Sequence, residues 1–154
     1  MEVPMDEIKK LTLPKQLLAG GGVLLFIFSF FDWFSIGGGR VGSGAFSYAI
    51  PEYSPNAWET EAVGFFFGVL PVLAGLAAAA LVLLPVFGVK LPDGAPWEMI
   101  TAICGCVGAL VVIELLKGES PADRAFGLIV AAIAGAAMCA GGVMTLMNQN
   151  KSAS

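Results

Sequence analysis

Four stretches of this chain, at about residues 17–36, 62–87, 98–116 and 126–147, run for roughly twenty residues each, and only Asp32, Glu98 and Glu114 carry charge within them. At a rise of ~1.5 Å per residue, such a run crosses a hydrocarbon core of ~30 Å. Lipid offers no partner to a backbone N–H or C=O, so runs of this length must be helical. Hydrophobic residues make up 57% of the 154 positions and charged residues 13%, whereas about a quarter of an ordinary soluble domain is charged. That much apolar surface has no place to hide in a soluble fold of this size. The sequence therefore reads as all-α, a membrane-spanning antiparallel four-helix bundle forming a single domain over residues 17–147. A cytoplasmic segment, 1–16, precedes it and a disordered cytoplasmic tail, 148–154, follows.

A cleaved secretory signal is the competing reading of the first run, because Lys9, Lys10 and Lys15 precede it. The run is longer than the ~7–15 apolar residues of a signal core, and no A-x-A site follows, so a retained helix is expected. Pro71 lies inside the second run, where its missing N–H predicts a kink. The fourth run is opened by a helix-start pattern at Ser120-Pro121-Ala122-Asp123. Residues 88–97, with Pro92, Asp93, Gly94 and Pro96, read as a tight turn.

Orientation follows from lysines and arginines in the flanks. Lys9, Lys10, Lys15, Lys90 and Lys151 fall on one side, and Arg40, Lys117 and Arg124 on the other. Both termini are therefore expected in the cytoplasm, with the Gly-rich loop 37–61 outside. Alternation from Arg40 to Ile50 is compatible with a short hairpin in that loop. Trp33 is expected at the outer membrane interface and Trp97 at the inner one, where indole rings are favoured.

Association of helices in lipid depends on close approach across small residues. Gly64, Gly68 and Gly75 form one such strip in the second run, and Gly127, Ala131 and Gly135 another in the fourth. Strips of this kind seal either an oligomer or the seams within one bundle; every close-packed bundle needs the second, which is favoured here.

The composition excludes several kinds of chemistry. A net charge of −4 provides no basic field for nucleic acid. The absence of histidine removes histidine-ligated haem and the commonest general base. Gly37, Gly39 and Gly42 spell G-x-G-x-x-G, but a membrane run precedes them and a Pro-rich loop follows, which is not the strand–turn–helix that a dinucleotide turn requires. Cys104 and Cys106, two residues apart on a helix, point away from each other and read with Cys139 as packing residues. No catalytic residue, cofactor or metal site is assigned, and the chain is read as non-enzymatic.

What remains is the outer end of the bundle. Asp32 and Glu114 lie near the ends of their runs, and burying either in lipid would be costly; Glu114 and Lys117 share a helical face. With Trp33, Tyr48, Tyr53 and Trp58 they form a candidate surface for a partner, or a polar vestibule. The expected role is a structural or interaction component of a membrane assembly, in contact with lipid, with a protein partner or a second copy of itself. A small oligomeric channel or carrier is the alternative, disfavoured by the scarcity of polar residues in mid-span.

Phe31-Asp32-Trp33-Phe34, the Gly/Ser-rich loop reaching Asn56-Ala57-Trp58 and the final Gly141-Gly142 together resemble a loose group of small four-span bacterial membrane proteins common in actinobacteria. In that group a proline often precedes the first tryptophan, where this chain has Asp32. The resemblance implies a fold and no activity.

Overall fold

The computed structural model of the chain describes residues 5–117 and 123–153. A short helix, α1 (Met5–Lys9), leads into α2 (Leu13–Phe28), whose first turn contains Pro14, a position where the missing N–H removes no helical bond. Then come α3 (Val69–Val86), α4 (Trp97–Val107), α5 (Ala109–Leu116) and α6 (Phe126–Ala153). Among the described residues three helical stretches are long and apolar enough to cross a membrane: Val69–Val86, Trp97–Leu116 and Phe126–Ser152. α2 is apolar but shorter, at 16 residues.

The helices pack side by side in a ring. α2 lies between α3 and α6, α4 lies on the far side between the same two, and the diagonal pairs barely touch. Glycines set the spacing, because a Cβ at many of them would collide with the neighbouring backbone. Along the α2–α6 seam, Gly141 faces the Pro14 carbonyl, Gly21 faces Ala134 and Met138, and Gly127 faces the Asp32 carbonyl. One partner number rises as the other falls, so the two helices run antiparallel. The α4–α6 seam follows the same rule, with Gly142 against Ala102, Gly105 against Met138 and Gly108 against Gly135. Gly22 meets Gly75 across α2 and α3. Both ends of the described chain therefore lie at one end of the bundle, here the terminal end, and the long 29–68 segment caps the other.

The core is apolar and falls into two clusters, a smaller one of Leu18, Ala19, Ala78 and Val82 toward the termini and a larger one toward the cap. Leu25, Val72, Val111, Leu128, Ala131 and Met138 are fully enclosed and merge with Trp33 and Ala57 of the cap. No buried side-chain nitrogen or oxygen among the described residues lacks a partner, as an interior without water demands.

Several helix ends depart from the apolar runs. The first run continues to Ile36 in sequence, yet α2 stops at Phe28 and the chain turns into β1 (Phe34–Ser35). The second run begins at Ala62, yet α3 begins at Val69. A single turn closes over Glu59–Gly64, with Val63 N–H donating to the Glu59 carbonyl, and Gly64 ends it at φ +84°, a conformation that costs other residues ~1–2 kcal/mol. Gly64 is thus a stop signal, not part of a helical strip with Gly68 and Gly75. Pro71 falls in the first turn of α3, where its N–H would be unbonded in any case, so the kink expected toward the N-terminal third of the second run does not occur there.

The third run is interrupted at Gly108, which joins α4 to α5. The break coincides with the crossing of Gly135, whose carbonyl lies 2.6 Å from where a Cβ at Gly108 would sit. Of the expected helix-start pattern before the fourth run, residues 118–122 lie outside the described residues. Asp123 is not helical; it forms β4 with Arg124, and α6 starts at Phe126. The tail expected to be disordered is helical through Ala153, because no glycine or proline after Gly142 ends the helix. At ~1.5 Å per residue α6 is roughly 42 Å long, longer than a ~30 Å hydrocarbon core.

Candidate functional site

The cap is built on the end of α2. A helix leaves its last four carbonyls without partners, and in a dry setting other groups must supply them. The Ser29 hydroxyl donates to the Phe26 carbonyl at 2.6 Å, and the Trp33 indole N–H donates to the Phe28 carbonyl at 3.0 Å. The Trp58 indole N–H then donates to the Ser29 hydroxyl at 3.0 Å, and its ring stacks on Phe30 at 5.7 Å. Ser29 and Trp33 are both fully buried. Trp33 is therefore not an interfacial ring among headgroups; it folds back as a cap on α2, which is also why the helix ends eight residues before Ile36.

Backbone bonds knit the returning strand to this cap. Trp33 N–H donates to the Pro55 carbonyl at 2.9 Å, Ala57 N–H to the Ser29 carbonyl at 3.2 Å, and Ile36 and Tyr53 exchange both N–H···O bonds at 2.8 and 2.9 Å. Farther out, β2 (Arg40–Val41) pairs antiparallel with β3 (Tyr48–Ala49), Arg40 opposite Ala49. From the Ile36–Tyr53 pair to this one, each arm advances four residues, so the register does not slip. On the other edge β1 pairs with β4, Phe34 opposite Arg124, and Ala125 N–H donates to the Trp33 carbonyl. The cap thereby ties the end of α2 to the start of α6.

The outward face of the cap is apolar and acidic. Phe46 is 91% exposed at the tip, Tyr48 65% and Tyr53 49%. Loop 37–61 carries Glu52, Glu59 and Glu61 against Arg40. The Tyr53 hydroxyl donates to the Glu59 carboxylate. That bond, followed by partial desolvation and the charges of Glu59 and Glu61, holds the phenol above its ordinary pKa. Ser35 likewise donates to Glu52 at 2.5 Å.

The candidate residues named from the sequence separate into four places. Tyr48 and Tyr53 lie together on the exposed face, whereas Trp33 and Trp58 form its support. Asp32 is exposed beside the α6 start, with its carbonyl against Gly127. Glu114 lies elsewhere on the rim, on α5. Its side chain is 15% exposed and pairs with the Lys117 ammonium at 2.8 Å, which also sits 3.3 Å from the centre of the Phe67 ring, a cation–π contact. Among the described residues no hydrogen bond or ion pair joins Asp32 to Glu114. Of the packing positions, Gly68 lies against the Ala57 carbonyl, Gly75 against Gly22 and Met138, and Gly135 against Gly108, while Ala131 is fully buried; all face neighbours within this chain.

Two residues central to the cap were not singled out from sequence, Ser29 and Phe46. Ser29 has one readable signal, a lone hydroxyl among phenylalanines near the end of an apolar run. Among the described residues no group of three or more acidic, cysteine or histidine side chains is placed to hold a metal ion. No family model, curated protein or solved structure matches the chain.

Proposed function

We propose that the protein is a non-enzymatic, four-crossing component of a bacterial cytoplasmic membrane that recognises a protein partner through its cap. In this reading both termini are cytoplasmic and the cap faces outward. α2 would be the fourth crossing: its 16 residues run antiparallel to α6 and share that helix's depth. The observation that carries the reading is the exposure of Phe46, Tyr48 and Tyr53 on a hydrogen-bonded platform. Aromatic rings held in place offer large contact area at low entropic cost. The carboxylates of Glu52, Glu59 and Glu61 around them favour a partner segment with basic residues beside an apolar one.

The closed interior weighs against a channel. Leu18, Met138 and the level pair Leu25 and Val72 are fully enclosed at three depths along the bundle. Copurification from native membranes in mild detergent tests the proposal. A stoichiometric partner should accompany the wild-type chain and be lost with the double variant Phe46→Ser/Tyr48→Ser, whose positions bear no core contacts. Recovery of the chain alone, or a partner retained by that variant, contradicts it.

A further inference from the structure

At the terminal end the bundle opens into a cavity of about 460 Å³ between α2, α3 and α4, within the ~300–1,000 Å³ range of ligand sites. Its lining is mostly apolar, with Leu18, Leu81, Val82, Val86 and Trp97 among its walls. A second cavity of about 430 Å³ adjoins it, and this one is polar, lined by Thr12, Asn148, Gln149 and Ser152. Lys15, Glu98 and Thr145 line both, so they mark the junction. An apolar chamber opening into a polar groove at the membrane boundary has the shape of an amphiphile.

The charges at the junction specify the head. Lys15 has no hydrogen-bond or ion-pair partner among the described residues, and Lys10 lines the apolar chamber near it. Glu98 is the opposing charge, and the Gln149 amide donates to it at 3.2 Å. The hydroxyls of Thr101 and Thr145 already donate to the carbonyls of Trp97 and Gly141, so Lys15 is the charged donor that faces an incoming anion. Basic pockets between membrane helices bind acidic headgroups in this manner.

We infer that this paired cavity binds one acidic phospholipid, with an acyl chain in the apolar chamber against Trp97 and the phosphate at Lys15. The inference rests on the terminal end and is independent of what the cap recognises.

Trp97 reports occupancy directly. The full chain is placed in phosphatidylcholine vesicles doped with phosphatidylglycerol or phosphatidylcholine bearing brominated acyl chains, and the Trp97 signal is taken as the difference from Trp97→Phe. Brominated phosphatidylglycerol should quench it with an apparent affinity about fivefold above brominated phosphatidylcholine. Lys15→Gln should erase the difference, and Lys9→Gln, outside the cavity, should leave it. Val86→Phe, which fills the chamber with every lysine intact, should also erase it. Equal quenching by the two lipids overturns the inference, as does selectivity that survives Val86→Phe, which would place the lipid on the surface. Relief of quenching by soluble glycerol phosphate would identify a free anion as the ligand and overturn the lipid assignment; that comparison needs no variant to fold.

Discussion

Ser29 joins two otherwise separate parts of the chain, because its one hydroxyl caps α2 and accepts the indole of Trp58, 29 residues away. Removing it leaves the half-buried Trp58 N–H without that partner, which costs about 1–3 kcal/mol. Ser29→Ala should lower stability by that amount in denaturing mixed micelles, and so should Trp58→Phe. The double variant should cost less than the two together, since both remove one bond; full additivity would mean that the bond contributes nothing. Tyr53 is the residue whose titration the cap controls. A phenol held above its ordinary pKa of about 10 stabilises the fold while protonated. Its bond to Glu59 is therefore complete below that pH and lost as pH rises through the higher folded value. In a Tyr48→Phe background, Glu59→Gln should move the tyrosinate absorbance midpoint down toward the ordinary value. An unchanged midpoint would show that Glu59 is not its cause.

Helices here are spaced by glycines, and neighbours in sequence differ sharply in what they tolerate. A Cβ at Gly22 runs into the Gly75 carbonyl, whereas one at Gly20 meets nothing within 4 Å. Gly22→Ala should cost about 1–3 kcal/mol through overpacking, while Gly20→Ala should be neutral or stabilising by up to roughly 1 kcal/mol through helix propensity. Unfolding midpoints of the two variants in the same micelles check this, and equal midpoints would remove the seam from the account. The middles of the helices are legible, except for the break at Gly108 in the third run, because an apolar run in lipid has one backbone solution. Their ends are not. α2 stops where Ser29 and Trp33 satisfy its carbonyls, and Trp33 is held there by Pro55, 22 residues on; that is tertiary information. Gly64 reads equally well as a packing glycine or a stop, and only its positive φ decides. Aromatic residues were visible as a group, but nothing local separates Trp33, fully buried, from Tyr48, 65% exposed.

At the scale of the whole molecule the proposed topology is four crossings with the cap outside. Among the described residues three helices meet the length for a span, and if α2 did not cross, the N-terminal segment would share a side with the cap. Residues Asp6, Phe46 and Ser152 are all exposed and sample the N-terminal segment, the cap and the C-terminal end of α6. The decisive measurement is labelling of intact cells with a membrane-impermeant maleimide, using single-cysteine versions at these positions in a chain whose Cys104, Cys106 and Cys139 are replaced by alanine. The account predicts that Phe46→Cys labels from outside, whereas Asp6→Cys and Ser152→Cys label only after the membrane is permeabilised. Labelling of Asp6→Cys from outside together with Phe46→Cys would mean three crossings and contradict it.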